Sequence, residues 1–109
     1  MAMGGGLLVA CALVLASILQ AADQAVVVLV TRGCSSRYVA SAAGGFIILE
    51  WFGGYSPSKG DRLIGELNSY GFKDIYVANA DAFTRAWIDD YFLSQDRVVE
   101  KLLDKGCTW

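Results

Sequence analysis

Histidine is absent from this chain. Its absence removes the commonest zinc ligand, the usual haem ligand and the most frequent general base. No His-ligated haem or chlorophyll is therefore expected, no other cofactor is assigned, and an enzymatic role is not expected. Cysteine is scarce: Cys11, Cys34 and Cys107 form an odd, scattered set with neither the spacing of a disulfide framework nor that of a zinc site. Basic clusters are missing too, and the net charge is −2, so nothing is present to neutralise a row of phosphates and nucleic acid is excluded as a partner. Charge of either sign is rare in the first half. Residues 1–55 carry only Asp23, Arg32, Arg37 and Glu50, while the remaining Lys, Arg, Asp and Glu residues all lie in 56–109.

What fills that first half is apolar. Gly4 to Ala22 contains no charge, and its polar side chains are limited to Ser17 and Gln20. As a helix it would measure roughly 28 Å, close to the ~30 Å hydrocarbon thickness of a bilayer. Leu, Val, Ile and Ala cover every face of such a helix, leaving no polar stripe for water. The run predicts a membrane span over 4–22, extending to 30 if the β-branched stretch Ala25–Val30 continues it. Leu8-Val9-Ala10-Cys11 has the letters of a lipobox, but the apolar run continues past the cysteine. The opening residues carry no Lys or Arg, and Gln20-Ala21-Ala22 is a poor cleavage site. A retained span is expected over a cleaved signal.

A second apolar segment covers 38–55. Ala40 and Gly44, like Ser41 and Gly45, stand four apart and would give one helix a flat face for another to pack against in lipid. Tyr38, Trp51 and Tyr55 near its ends suit an interfacial belt. Glu50 would then lie in or near the hydrocarbon as a buried carboxyl needing a proton or a partner. An apolar hairpin with one carboxyl in its second helix resembles the ring-forming proteolipid subunits of rotary ATPases. It lacks their repeated-glycine motif and their polar Arg-Gln-Pro loop, and it adds a tail of about fifty residues.

Gly53 to Ser58 marks a boundary. Beyond it, Leu63, Ile64, Leu67 and Tyr70 recur at helical spacing with Gly71 as a stop, and Asp81 is placed to cap a long final helix ending at Gly106. That helix would carry an aromatic stripe of Phe83, Trp87 and Tyr91. A tail this short buries little by itself, so the stripe is expected to dock on a partner.

The resulting expectation is a mainly α integral-membrane protein: 1–55 a membrane region with one or two transmembrane helices, and 56–109 a small helical extramembrane tail. Its function would be that of an accessory or structural subunit at the edge of a larger membrane complex, of photosystem or respiratory type, in contact with the lipid bilayer. Two alternatives stand beside it. One is an ion-coupling subunit using Glu50. The other is a small soluble α/β domain with strands at Ala25–Val30, Phe46–Leu49 and Asp74–Ala78 and with Cys34 as a reactive thiol.

Overall fold

The computed structural model describes residues 22–109. Six antiparallel strands close into a barrel in the order β1-β2-β3-β6-β5-β4. They are β1 (Asp23–Val30), β2 (Arg37–Ala42), β3 (Gly45–Gly54), β4 (Arg62–Gly65), β5 (Gly71–Val77) and β6 (Ala82–Leu93). One helix follows, α1 (Gln95–Asp104). The chain forms two three-stranded meanders, joined edge to edge where β1 pairs with β4 and β3 pairs with β6. Closure leaves the described sheet without the long unpaired edge that would template aggregation.

Each strand alternates between inside and outside. Val27, Tyr38, Ala40, Ile47, Leu49, Leu63, Ile75, Val77, Ala86 and Ile88 fill the barrel. A second apolar layer lies outside it, where Val98 and Leu102 of α1 cover Val39 and Ile48. Ser94 caps α1 by accepting the Arg97 N–H at 3.3 Å, Asp96 stands in its first turn and Lys101 in its last. The second layer is stapled by a disulfide between Cys34, in the β1–β2 loop, and Cys107, just after α1. Arg32 and Thr108 add two backbone hydrogen bonds of 2.8 Å beside it.

This architecture overturns the mainly α membrane expectation. Tyr38–Tyr55 is no helix: residues 37–54 form the β2–β3 hairpin, with Ala42 opposite Gly45 across a two-residue turn. In the middle of this hairpin both faces are covered, the inner one by the barrel core and the outer one, at Val39 and Ile48, by α1, so its sequence is apolar on both sides there and reads like a lipid-facing segment. The spacing of four that suggested a helix-packing face is also two strand periods. Ala40 and Ser41 lie in β2, Gly44 lies in the turn and Gly45 opens β3. Gly45 adopts φ +139°, where an added Cβ would sit 2.9 Å from the Leu93 carbonyl oxygen.

The helical tail is corrected likewise. Leu63 and Ile64 lie in β4, and the long final helix is β6 up to Leu93, followed by the ten-residue α1. No helix among the described residues is long and apolar enough to cross a membrane, which overturns the transmembrane-helix assignment within 22–109 and the integral-membrane localisation as argued from such helices. The expected span over 4–22 lies outside the described residues, except for Ala22. Of the soluble α/β alternative, Ala25–Val30 falls in β1, Phe46–Leu49 in β3 and Asp74–Val77 in β5.

Candidate docking surface

The outer face of β3, β6 and β5 carries an aromatic ledge. Alternation along β6 sends Phe83, Arg85 and Trp87 outward while Thr84, Ala86 and Ile88 point in. Register sets Phe72 opposite Trp87, Asp74 opposite Arg85 and Tyr76 opposite Phe83. On the other side of β6 the pairing slips between Trp51 and Gly53. Such a bulge re-aims side chains. Here Trp51 stays against the barrel core with its indole N–H donating to the Tyr55 carbonyl at 3.1 Å, and Phe52 turns out to solvent.

The rings meet edge to face, the arrangement favoured by the aromatic quadrupole. Phe52 and Phe72 have centroids 4.9 Å apart at 85°, and Phe72 and Trp87 are 4.9 Å apart at 80°. The Arg85 guanidinium stands 5.2 Å above the Phe72 ring. Tyr76 and Phe83 extend the row at 5.3 Å. Despite this mutual contact the ledge is open: Phe52 is 51 % exposed, Phe72 48 %, Trp87 37 % and Phe83 63 %. Solvent-exposed Asp74 and Asp81 border it, and the Asp81 carboxylate accepts the Tyr76 hydroxyl at 2.7 Å. That bond to a carboxylate raises the Tyr76 pKa above the ordinary tyrosine value.

Comparison with protein-family models, with curated proteins and with solved structures finds no match.

The residues singled out in the sequence are distributed as follows. Phe83 and Trp87 lie on the ledge. Tyr91 does not: it turns onto the end of the barrel core and packs against Tyr70 at 4.9 Å. Glu50 is no isolated buried carboxyl, because its Oε1 lies 3.4 Å from Arg37. Arg37 is the hub of that corner, its Nε donating to Asp89 at 2.8 Å and its Nη1 to the Cys34 carbonyl at 2.7 Å. The helical hairpin expected to place Glu50 in hydrocarbon is a β-hairpin instead, with Glu50 in β3. Cys34 has no free thiol, since it is half of the disulfide. The sequence separation of 73 hides that pairing, which exists only because the C-terminal segment returns to the β1–β2 loop.

Sequence reasoning missed Phe52 and Phe72. The first was assigned to a membrane segment, and the second follows Gly71, which was read as a helix stop. The alternations Phe72-x-Asp74-x-Tyr76 and Phe83-x-Arg85-x-Trp87 were the available signal, each reading as a strand with its larger aromatics on one side.

Two other polar constellations hold the fold. Asp90 receives Lys101 at 2.8 Å and the Tyr70 hydroxyl at 3.2 Å, tying α1 to the end of β6. Burial works against its ionisation, but Lys101 and the Tyr91 N–H outweigh that and hold its pKa below the ordinary aspartate value. Asp61 is 6 % exposed and accepts the Ser58 N–H at 2.8 Å and the Asn79 amide at 2.7 Å. Burial again opposes its charge, and these donors, with the Tyr55 hydroxyl, lower its pKa. Among the described residues no group of three or more metal-ligating side chains converges.

Proposed function

We propose that this barrel is a non-enzymatic protein-docking module whose contact surface is the β3–β6–β5 ledge. The contiguous Phe52–Phe72–Trp87 row crowned by Arg85 carries the reading. Trp, Tyr and Arg are the residue types that concentrate binding energy at protein interfaces, and Phe is enriched there as well. Charged groups stand at the border of the ledge, as in an interface with an apolar centre and a polar rim. The carboxylates of Asp74 and Asp81 favour a partner presenting basic groups around an apolar patch, and they would repel nucleic acid. The role foreseen from the sequence, an accessory subunit of a larger assembly, is retained here as docking on a protein surface through strands.

The test is site-specific photo-crosslinking in the source cells. A photoreactive side chain at Phe83, on the border of the row, should give one discrete protein adduct. The same group at Lys59, in the β3–β4 loop, should not. Trp87→Ala should abolish the adduct while the purified variant keeps its strand circular dichroism. An adduct that persists undiminished in a folded Trp87→Ala variant would remove the proposal. A self-adduct would do the same, because it identifies a second copy of the chain as the occupant.

A further inference from the structure

We propose that this chain is exported and cut at Ala21–Ala22, the pair of small residues joining an uncharged apolar run to a disulfide-closed barrel that begins at Asp23. The first observation is the disulfide. Cys34 and Cys107 are both buried and bonded to each other, and such bonds form and persist in oxidising compartments rather than in the reducing cytosol. A ribosome-made chain reaches such a compartment across a membrane. Gly4–Ala22 is the longer of the two uncharged apolar stretches and stands ahead of the barrel, where a segment that directs such passage lies.

The second observation is where the fold starts. The Asp23 carboxylate accepts the Leu67 N–H at 2.9 Å, β1 begins at that residue, and the first buried core side chain among the described residues is Ala25. The barrel closes by pairing Asp23 with Gly65, so Asp23 is the first of the described residues in the sheet. Cleavage after Ala21 or Ala22 therefore removes no member of the described core. It places a small side chain immediately before the cut, while Leu19 or Gln20 occupies the third position before it, where a signal-type peptidase also favours a small residue. In the reaction, water adds across the peptide bond, leaving a carboxylate on the alanine and a new amino terminus on the barrel. Separately, the Cys34 and Cys107 thiols each give up a proton and an electron to a thiol–disulfide oxidoreductase, whose own disulfide becomes a dithiol.

The experiment expresses the full chain in a host with an oxidising envelope compartment and measures the intact mass and the alkylatable thiols of the product. The expected product starts at Ala22 or Asp23 and has no alkylatable thiol, since Cys11 leaves with the removed segment. In the double variant Ala21→Leu/Ala22→Leu the uncut precursor should accumulate, with Cys11 as its one reactive thiol. Three results would overturn the proposal: an uncut chain from the unsubstituted sequence, a product beginning at a lipid-modified Cys11, or a reduced cytosolic chain with three reactive thiols.

Discussion

Cutting the Cys34–Cys107 bond perturbs this barrel in a way the structure lets one size. The bond joins residues 73 apart in sequence, so in the unfolded chain it closes a loop of nearly the whole described domain. On the chain-entropy account, a loop of that length restricts the unfolded ensemble by about 4.4 kcal/mol at 25 °C. In the folded state the same residues lie side by side regardless, held by Arg32 and Thr108, by Arg37 on the Cys34 carbonyl and by the α1 contacts. The native structure should therefore survive reduction while the unfolded state gains freedom. With about 4–8 °C of melting temperature per kcal/mol for a domain of this size, reduction should lower Tm by roughly 18–35 °C. A total stability of about 5–15 kcal/mol makes that a large share of the whole. The assay is urea unfolding of the oxidised chain, the reduced chain and Cys34→Ala/Cys107→Ala. The denaturant slope should also rise on reduction, because an unlinked chain exposes more surface. A loss below about 1 kcal/mol with an unchanged slope would refute the loop-closure argument.

Two further outcomes follow from buried polar groups. The Tyr38 hydroxyl sits inside the barrel beside Thr84 but makes no hydrogen bond of acceptable geometry, and burial pushes its pKa far above the usual tyrosine range. Tyr38→Phe removes an unsatisfied buried group and should stabilise the barrel by about 1 kcal/mol in thermal or urea unfolding; a loss of that size would show the hydroxyl to be bonded. Asp61, whose folded pKa is lowered, contributes stability that is present above its unfolded pKa of about 3.9 and is lost as pH falls through the folded value. Asp61→Asn should accordingly cost about 1–3 kcal/mol at pH 7, and the gap from the parent chain should narrow below about pH 4. A gap independent of pH would contradict the assignment.

The legibility of this fold in its sequence varied by element. The β-branched Ala25–Val30 and the Asp74–Val77 run signalled strands through residue type alone. The end of α1 was readable from Gly106, which has φ +77°. The β2–β3 hairpin was misread because α1 covers its outer face. Val39 and Ile48 are buried outside the barrel just as Ala40, Ile47 and Leu49 are buried inside it, and the alternation that marks a half-exposed strand disappears. In β6 the ambiguity is one of spacing. Phe83, Trp87 and Tyr91 stand four apart, which puts them on one face of a helix and equally on one face of a strand. The strand is then distorted before its end: Phe92 takes φ +55° and Tyr91 leaves the ledge. Of the candidate surface, only Phe83 and Trp87 were recognisable beforehand, because a ledge across three strands needs a register that no local pattern carries.

By itself the sequence determined what depends on composition and local preference. The chain has no imidazole chemistry, an uncharged run before Asp23, strand-forming stretches and more aromatic side chains than so small a core can enclose. Tertiary structure alone decided which strands pair, that the two meanders close on each other, that Cys34 finds Cys107 and that Phe52 and Phe72 join Trp87. The physical reason is range. Propensity and periodicity act over a few residues, whereas barrel closure and the disulfide join residues tens of positions apart, at an entropic cost that the cooperative burial of both apolar layers offsets.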